Sequence, residues 1–332
     1  MSIRFATYNM MDLFWHNTSQ ERDRRERVFE VIRELDADVV AVQELRPRNP
    51  DLAGARLAEL AKETGLTSYR ADSDQVAIAG APHGFYVGLL WNPNTVTPVP
   101  DTFYDYDEGD FWHGMISGVF TVSGDDGLKY QVNHSSYHAT PVGNSSRRAS
   151  EAERVALSLI RPDNHPPGLI GADWNSVSAD RVPIGETDSP DETGHWVYYD
   201  EDPYTNLPWR SDFIFQCEWD YSENGRRSSW RANRAPSEIL YSAGIVDAAS
   251  TLHAASFTAD QNEKKEIPRH ITTGYWPVDD PLPPRRFDTI RVTNEVAPAL
   301  CGYEVFDNPL SRSASDHLPV VVTYDPAKIQ RN

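Results

Sequence analysis

The chain of 332 residues is long enough to bury a substantial core, and 39% hydrophobic with 24% charged residues is the balance of a globular protein without a membrane span. Its net charge of −19 repels polyanions at long range, and no basic footprint of the kind nucleic-acid binders carry stands out. Salt screens such a field beyond roughly 8–10 Å, so a duplex-DNA enzyme is disfavoured and not excluded.

Residues 3–9 alternate as a strand ending at Asn9. The N-terminus has no basic start, apolar stretch or cleavage site, and Cys217 and Cys301 are too few for a disulfide framework. A cytoplasmic protein with reduced thiols is therefore expected. Thr18-x-x-Glu21 has capping-box spacing and opens a helix whose apolar face is Val28, Phe29, Ile32 and Leu35. Residues 38–44 form a short apolar run ending in Glu44, the pattern of a buried strand. This strand–helix–strand start puts Asn9 and Glu44 at C-terminal strand ends, where layered α/β folds bind ligands.

A second helix is predicted over 52–63, closed by Gly65. Residues 85–91 read as a strand stopped by Asn92-Pro93. Residues 116–122 and 128–133 read as two strands joined by the turn Ser123-Gly-Asp-Asp-Gly127. A helix over 147–160 carries Ala149, Ala152, Val155, Ala156 and Leu159 on one side, with Arg147 and Arg148 as its solvated start. Residues 168–172 form another buried strand running into Asp173-Trp174-Asn175.

From about 176 to 235 the chain is polar, acidic and aromatic, and predicts a long surface connection with only short regular elements. Its Trp196, Tyr198, Tyr199, Tyr204, Trp209, Trp219 and Trp230 either form a stacking wall for substrate or pack the connection onto the body. A brief helix over 236–243 ends at Gly244, and 287–292 and 318–324 are late strands. Without a repeat, low-complexity tract or linker, residues 1–332 are expected to form a single domain of two packed sheets flanked by helices.

Five stretches end a strand in a polar group: Tyr8-Asn9, Gln43-Glu44, Asn133-His134, Gly171-Ala-Asp173-Trp-Asn175 and Ser315-Asp316-His317. Singly each is ordinary; an Asn after a strand is a common turn former, and Asp-x-Asn makes Asx-turns. Together they supply the hard oxygen ligands that Mg²⁺ or Mn²⁺ requires, with two imidazoles for proton transfer or charge stabilisation. No structural-zinc cysteine spacing, His-Glu-x-x-His helix or Walker-type loop occurs. Oxygen ligands and imidazoles at strand ends point to metal-assisted attack on a phosphate ester.

The order Tyr-Asn, Gln-Glu, Asn-His, Gly-x-Asp-x-Asn, Arg-x-Asp and Ser-Asp-His resembles the endonuclease/exonuclease/phosphatase superfamily over nearly the whole chain. The resemblance implies a four-layer α/β sandwich and a phosphoesterase using Mg²⁺ or Mn²⁺. It implies that Asn9 supports the metal and phosphate site, that Glu44 is the principal metal ligand and that Asp316 is a metal-side carboxylate. It implies catalytic roles for His134 on the phosphate or leaving oxygen and Asp173 on the attacking water. Asn175 would bind a phosphate oxygen, His317 would contact the scissile phosphate and Asp288 would orient His317. His138, four residues on, competes with His134, which is preferred because it directly follows the strand. Phe111-Trp-His-Gly-Met-Ile116 lacks the arginine that some members carry there, which argues against a deoxyribonuclease-like backbone grip; His113 is either its substitute or a loop histidine without a role.

The expected substrate is nucleic acid, cut by endo- or exonuclease action. The alternatives are a small phosphorylated metabolite or nucleotide, and an inactive binding relative. The last is disfavoured because each matched polar position holds a competent residue. No membrane association or obligate protein partner is evident.

Overall fold

The computed structural model describes residues 1–71, 73–80, 84–107, 109–141, 145–160, 166–183, 196–258, 271–273 and 283–330. The chain opens with β1 (Ile3–Leu13), α1 (Ser19–Glu34), β2 (Val39–Leu45) and α2 (Ala53–Glu63). Then come β3 (Ile78–Gly80), β4 (Tyr86–Trp91), β5 (Thr97–Pro98), β6 (Tyr104–Tyr106), β7 (Met115–Ser123) and β8 (Lys129–His138). Next are α3 (Ser145–Leu159), β9 (Gly168–Asp173), β10 (Arg181–Pro183), β11 (Trp196–Tyr198), β12 (Cys217–Tyr221) and β13 (Arg227–Ala232). The chain closes with α4 (Ala235–Ser242), β14 (Ile245–Asp247), α5 (Ala248–Thr258), β15 (Asp288–Thr293), β16 (Leu300–Val305), α6 (Pro309–Ala314) and β17 (Val320–Tyr324).

Two large mixed sheets result, ordered β16-β17-β1-β2-β4-β3 and β14-β15-β9-β8-β7-β5, with β6 also on β7. Between them lies a shared core: Phe5, Val39, Ala41, Val320 and Val322 meet Ile116, Phe120, Val132, Leu169 and Ile290. Val28, Phe29, Ile32, Leu57 and Leu60 cover the outer face of the first sheet. Ala152, Val155, Leu159 and Leu240 cover that of the second. This is the four-layer sandwich, and each fully buried Val, Leu, Ile or Phe contributes roughly 1.5–3 kcal/mol. No helix among the described residues is long and apolar enough to cross a membrane.

Most predicted elements appear close to their expected bounds. Thr18 caps α1, accepting from Glu21 N–H at 3.2 Å. Gly127 supplies the positive φ, +74°, that turns β7 into β8. The important difference is β8, which runs on through His138 instead of stopping at Asn133. It is paired on both sides, with β7 from Met115↔Tyr137 to Ser123↔Lys129 and with β9 from Asn133↔Gly168 to His138↔Asp173. Ladder pairing on two edges keeps the polar run Asn-His-Ser-Ser extended.

Arg148 corrects another expectation: it is buried, whereas Arg147 is exposed and lies over the Trp112 ring at 4.6 Å. In the long connection, residues 184–195 and the Trp196 side chain lie outside the described residues. The rest carries two small two-stranded sheets, β10-β11 and β12-β13. Trp209, Trp219 and Trp230 lie on one another with centroids 4.5–5.5 Å apart, and the cluster packs on Val177 and Phe287. Tyr199 and Tyr204 are buried and Tyr198 is half exposed over Arg234.

Candidate active site

The topology brings one end of each sheet together. In the first sheet, β1 and β2 run parallel with Asn9 beside Gln43, so Asn9 and Glu44 leave at the same level. In the second, parallel β8 and β9 set His138 beside Asp173, and antiparallel β15 sets Asp288 beside Asp173. His317 precedes β17, which pairs with β1. The sheets approach closely beneath this edge: a Cβ on Gly171 would lie 2.6 Å from Thr7 Cβ and 3.1 Å from Ala41 Cβ. A polar seam fills the gap. Gln43 Nε2 donates to Ser136 Oγ at 3.0 Å, Ser136 Oγ to the Val42 carbonyl at 2.9 Å, and Thr7 Oγ1 to Gln43 Oε1 at 3.2 Å.

The backbone turns sharply where the site residues leave their strands. Met11, Asp12, Glu44 and Asn175 have φ of 49°, 53°, 58° and 47°, a region costly for residues with a side chain and concentrated at functional sites. Asn9 sits between the carboxylates: its Nδ2 donates to Glu44 Oε1 at 3.1 Å and to Asp173 Oδ2 at 3.0 Å. Its Oδ1 accepts from Met11 N–H at 3.0 Å. Asp12 N–H donates to Glu44 Oε2 at 2.9 Å. Across the cleft, His317 Nδ1 lies 2.8 Å from Asp288 Oδ2, which also accepts from Thr273 Oγ1 at 2.6 Å. The other imidazole nitrogen, Nε2, lies 3.9 Å from Asp173 Oδ2 and 3.9 Å from Asp316 Oδ1.

The second imidazole of the cluster is His138. Its Nε2 lies 3.5 Å from Asp173 Oδ2 and 3.9 Å from Glu44 Oε1. His134, favoured by the sequence reading, is elsewhere. It lies two pleats back, about 13 Å along the strand. There it is enclosed by Phe5 and Phe120 in the inter-sheet core and its Nε2 pairs with Tyr324 Oη at 3.1 Å. Burial holds its ring neutral, with a pKa down at about 3. His113 is likewise not a bare loop residue: it is buried and stacks on His138, rings 4.2 Å apart and 14° from parallel. Phe85 touches both rings edge-on, at 4.9 Å and 6.3 Å.

Asn175 lies at the floor. Its backbone N–H caps Asp173 Oδ1 at 2.9 Å and one Nδ2–H donates to the Ala139 carbonyl at 2.9 Å, at the β8 end. The arginine of Arg-x-Asp, Arg286, points away into a buried pairing with Asp200 and Asp247 at 2.6 and 2.9 Å. Trp174 is buried against Tyr137 and donates to the Thr289 carbonyl at 3.2 Å. At the rim, Arg46 lies between the faces of Trp15 and Phe85, 4.2 and 4.3 Å from their centroids, with Nη1 3.1 Å from both Asp12 oxygens.

The electrostatics favour a cation in this cluster. Burial and then the charge of Asp316 push the Glu44 carboxyl up to about 7. Burial opposes charge on His317, yet Asp288 and Asp316 outweigh it and raise its pKa well above the ordinary value. Burial pushes His138 down to about 4, against the pull of Asp173. Asp173 is held below the usual carboxylate range because His317 and His138 outweigh its burial.

For Glu44 the folded pKa exceeds the unfolded one, so its contribution is full below about 4.5 and is lost as pH rises through about 7. In metal-free protein, the stability difference between wild type and Glu44→Gln should therefore shift against wild type by about 3 kcal/mol from pH 4.5 to 7.5. Denaturant titrations of both proteins over that range test this. A pH-independent difference overturns it.

Among the described residues, two groups place their ligand atoms within 4.8 Å of one another: Glu44, His138 and Asp173, and Asp173, Asp288 and His317. Asp316 belongs to neither, although its charge acts on Glu44. Carboxylates and imidazoles of this kind, with a half-buried carboxylate pushed up by a neighbouring one, fit a hard divalent cation.

No curated protein sequence matches the chain. Solved structures similar in fold include the endonuclease/exonuclease/phosphatase from Bacteroides vulgatus, with TM-score 0.57 and 14% identity over 98% of this chain and 99% of that one. D. rerio TDP2 complexed with single strand DNA product is similar with TM-score 0.53 and 14% identity over 98% of this chain and 99% of that one. The 3′ phosphatase NExo from Neisseria bound to product DNA hairpin is similar with TM-score 0.53 and 16% identity over 97% and 99%. At these identities the likeness is one of fold. The sequence itself matches the description Endonuclease/Exonuclease/phosphatase family across residues 6–317, which takes in every strand end that builds the cluster. The chain therefore belongs to the endonuclease/exonuclease/phosphatase family, whose members hydrolyse phosphoesters.

Proposed function

We propose that the protein hydrolyses phosphodiester bonds in nucleic acid with the help of Mg²⁺ or Mn²⁺. The observation that carries this reading is the pair of imidazole Nε2 atoms 3.5 and 3.9 Å from one oxygen of Asp173. A carboxylate between two imidazoles, beside Glu44, suits the attack of water on a phosphorus centre. Asp173 orients the attacking water and takes up its proton. His317, kept protonated on both nitrogens by Asp288 and Asp316, donates to a phosphoryl oxygen from Nε2 while Asp288 accepts from Nδ1–H. His138 stands on the other side of Asp173, its ring held by His113 and Phe85, and faces the leaving oxygen. Glu44 and Asp316 would hold the cation, which supplies Lewis-acid stabilisation of the developing charge.

Nucleic acid is favoured because two proteins of the same fold, D. rerio TDP2 and Neisseria NExo, were solved with DNA products. The net charge of −19 favours instead a small phosphate ester. A turnover screen decides between them, with Mg²⁺ or Mn²⁺ against excess chelator on single-stranded DNA, duplex DNA, RNA, bis-p-nitrophenyl phosphate and phosphomonoesters. Chelation is expected to abolish turnover and either metal to restore it; full activity in chelator sinks the metal assignment.

For a polynucleotide, the acidic surface predicts few neutralised phosphates. The log–log salt slope of binding is then roughly −1 to −3. A steep slope would require a basic groove, and fast turnover of a small ester without polynucleotide binding selects the small-molecule reading.

A further inference from the structure

Two segments that carry the site meet at one end of the first sheet, where β1 leaves and β17 enters. One is the end of β1, Asn9 to Asp12, whose side chains and amides set Asn9 and Glu44. The other is the segment after α6, Ala314 to His317. They touch at the floor, where Ser315 Oγ donates to the Asn9 carbonyl at 2.9 Å. A second tie comes from neither loop. Arg24, on α1 and buried, donates from Nη1 to the Met10 carbonyl at 3.0 Å and to the Ala314 carbonyl at 2.9 Å. Its Nη2 donates to the Met11 carbonyl at 2.7 Å, and its Nε to Glu21 Oε2 at 3.0 Å. Glu21 is itself placed by the Thr18 cap of the same helix.

We infer that Arg24 is a positioning residue, a planar fork that sets the spacing between the Asn9–Asp12 loop and the Asp316–His317 segment. Resting on the catalytic reading above, this makes the distance between Glu44 and His317 depend on a side chain outside the cleft. The argument is one of geometry. Met11 and Asp12 stand in the left-handed region at φ 49° and 53°, a conformation that persists only where the surroundings over-determine it. Arg24 grips the carbonyls of Met10 and Met11, next to that strain. The Asp12 amide beyond it is one of the donors that fix Glu44. The same guanidinium grips Ala314, three residues before His317. A guanidinium serves because it is planar and offers donors in a fixed fork; an ammonium on a flexible stem does not hold three carbonyls at set angles. Nearby Arg27 donates from Nε to the Ser313 carbonyl at 3.1 Å from the exposed side, and so bridges α1 to α6.

The test compares Arg24→Met, Arg24→Lys and Arg27→Met in the full chain, assayed on bis-p-nitrophenyl phosphate with Mn²⁺ well below each melting temperature. Arg24→Met is expected to lose 10- to 100-fold in kcat with KM changed less than 3-fold. Arg24→Lys should recover part of that loss, and Arg27→Met should keep wild-type kcat. Histidine NMR gives a readout without turnover: the low-field Nδ1 proton of His317 should shift or broaden in both Arg24 variants and stay in Arg27→Met. Wild-type kcat and an unmoved His317 signal in Arg24→Lys overturn the inference, even if Arg24→Met fails to fold. Wild type without turnover on any substrate overturns the catalytic reading instead, while the NMR comparison still decides the role of Arg24.

Discussion

His317→Ala is expected to lower kcat by about 10²–10⁴-fold, the range for a general acid or a donor to developing charge, and to lower the melting temperature because buried Asp288 loses its charged partner. The imidazole Nε2 faces Asp173 and Asp316 at the cleft, while Nδ1 rests 2.8 Å from Asp288. Removing it takes away the group we propose to meet the phosphoryl oxygen but leaves the β17–β1 ladder intact. It also leaves Asp288 buried with one partner fewer, Thr273 remaining. Asp288→Asn should cost turnover as well, because a neutral amide cannot hold the imidazole protonated on both nitrogens in the way a carboxylate does. Steady-state kinetics with a thermal melt on each variant is sufficient. Near-normal kcat in His317→Ala would refute the site assignment as a whole.

The second large effect separates two histidines of one strand. His138→Ala should cost about 10²–10⁴-fold in kcat with a small change in stability. His134→Ala should do the reverse. It opens a cavity beside Phe5 and Phe120 and strips the buried Tyr324 hydroxyl of its partner. A loss of about 2–4 kcal/mol follows from the cavity and the unpaired hydroxyl, with kcat of the folded fraction close to wild type. Chemical denaturation and initial rates on the pair give both numbers. Turnover lost in His134→Ala and retained in His138→Ala would move the chemistry into the core and contradict the geometry.

That pair also shows where the sequence was legible. Asn9, Glu44 and Asp173 close apolar runs and Asp288 and His317 open them, and a change between apolar and polar is visible in one dimension. His134 misleads for the same reason. Asn133 and His134 follow an apolar alternation and look like its end, yet β8 continues because β7 and β9 pair with it on both edges. The polar side chains there are absorbed locally: Ser117 Oγ donates to Asn133 Oδ1 at 2.7 Å, and Ser136 joins the seam with Gln43. Only the register of neighbours distant in sequence says where such a strand stops.

Arg24 was invisible as a site-related residue, and His113 was raised without its stacking on His138, for a similar reason: bridging two segments and stacking are tertiary facts. Of the two helices not foreseen, α5 reads Ala-Ala-Ser-Thr-Leu-His-Ala-Ala-Ser-Phe-Thr, without a polar face to reveal its period. The short α6 did announce itself. Asn308 and Ser311 form a capping box around Pro309, a signal present in the sequence and passed over.

The division of the site between two sheets has a kinetic meaning. Asn9 and Glu44 belong to one sheet, His138, Asp173 and Asp288 to the other, and only the docked pair brings them within reach. Either sheet formed alone is catalytically silent. Appearance of turnover during refolding therefore times the docking of the halves, later than any signal that reports strand formation within one. A cation shared across that seam binds the docked form alone, and so adds its binding free energy to the step that closes the sandwich.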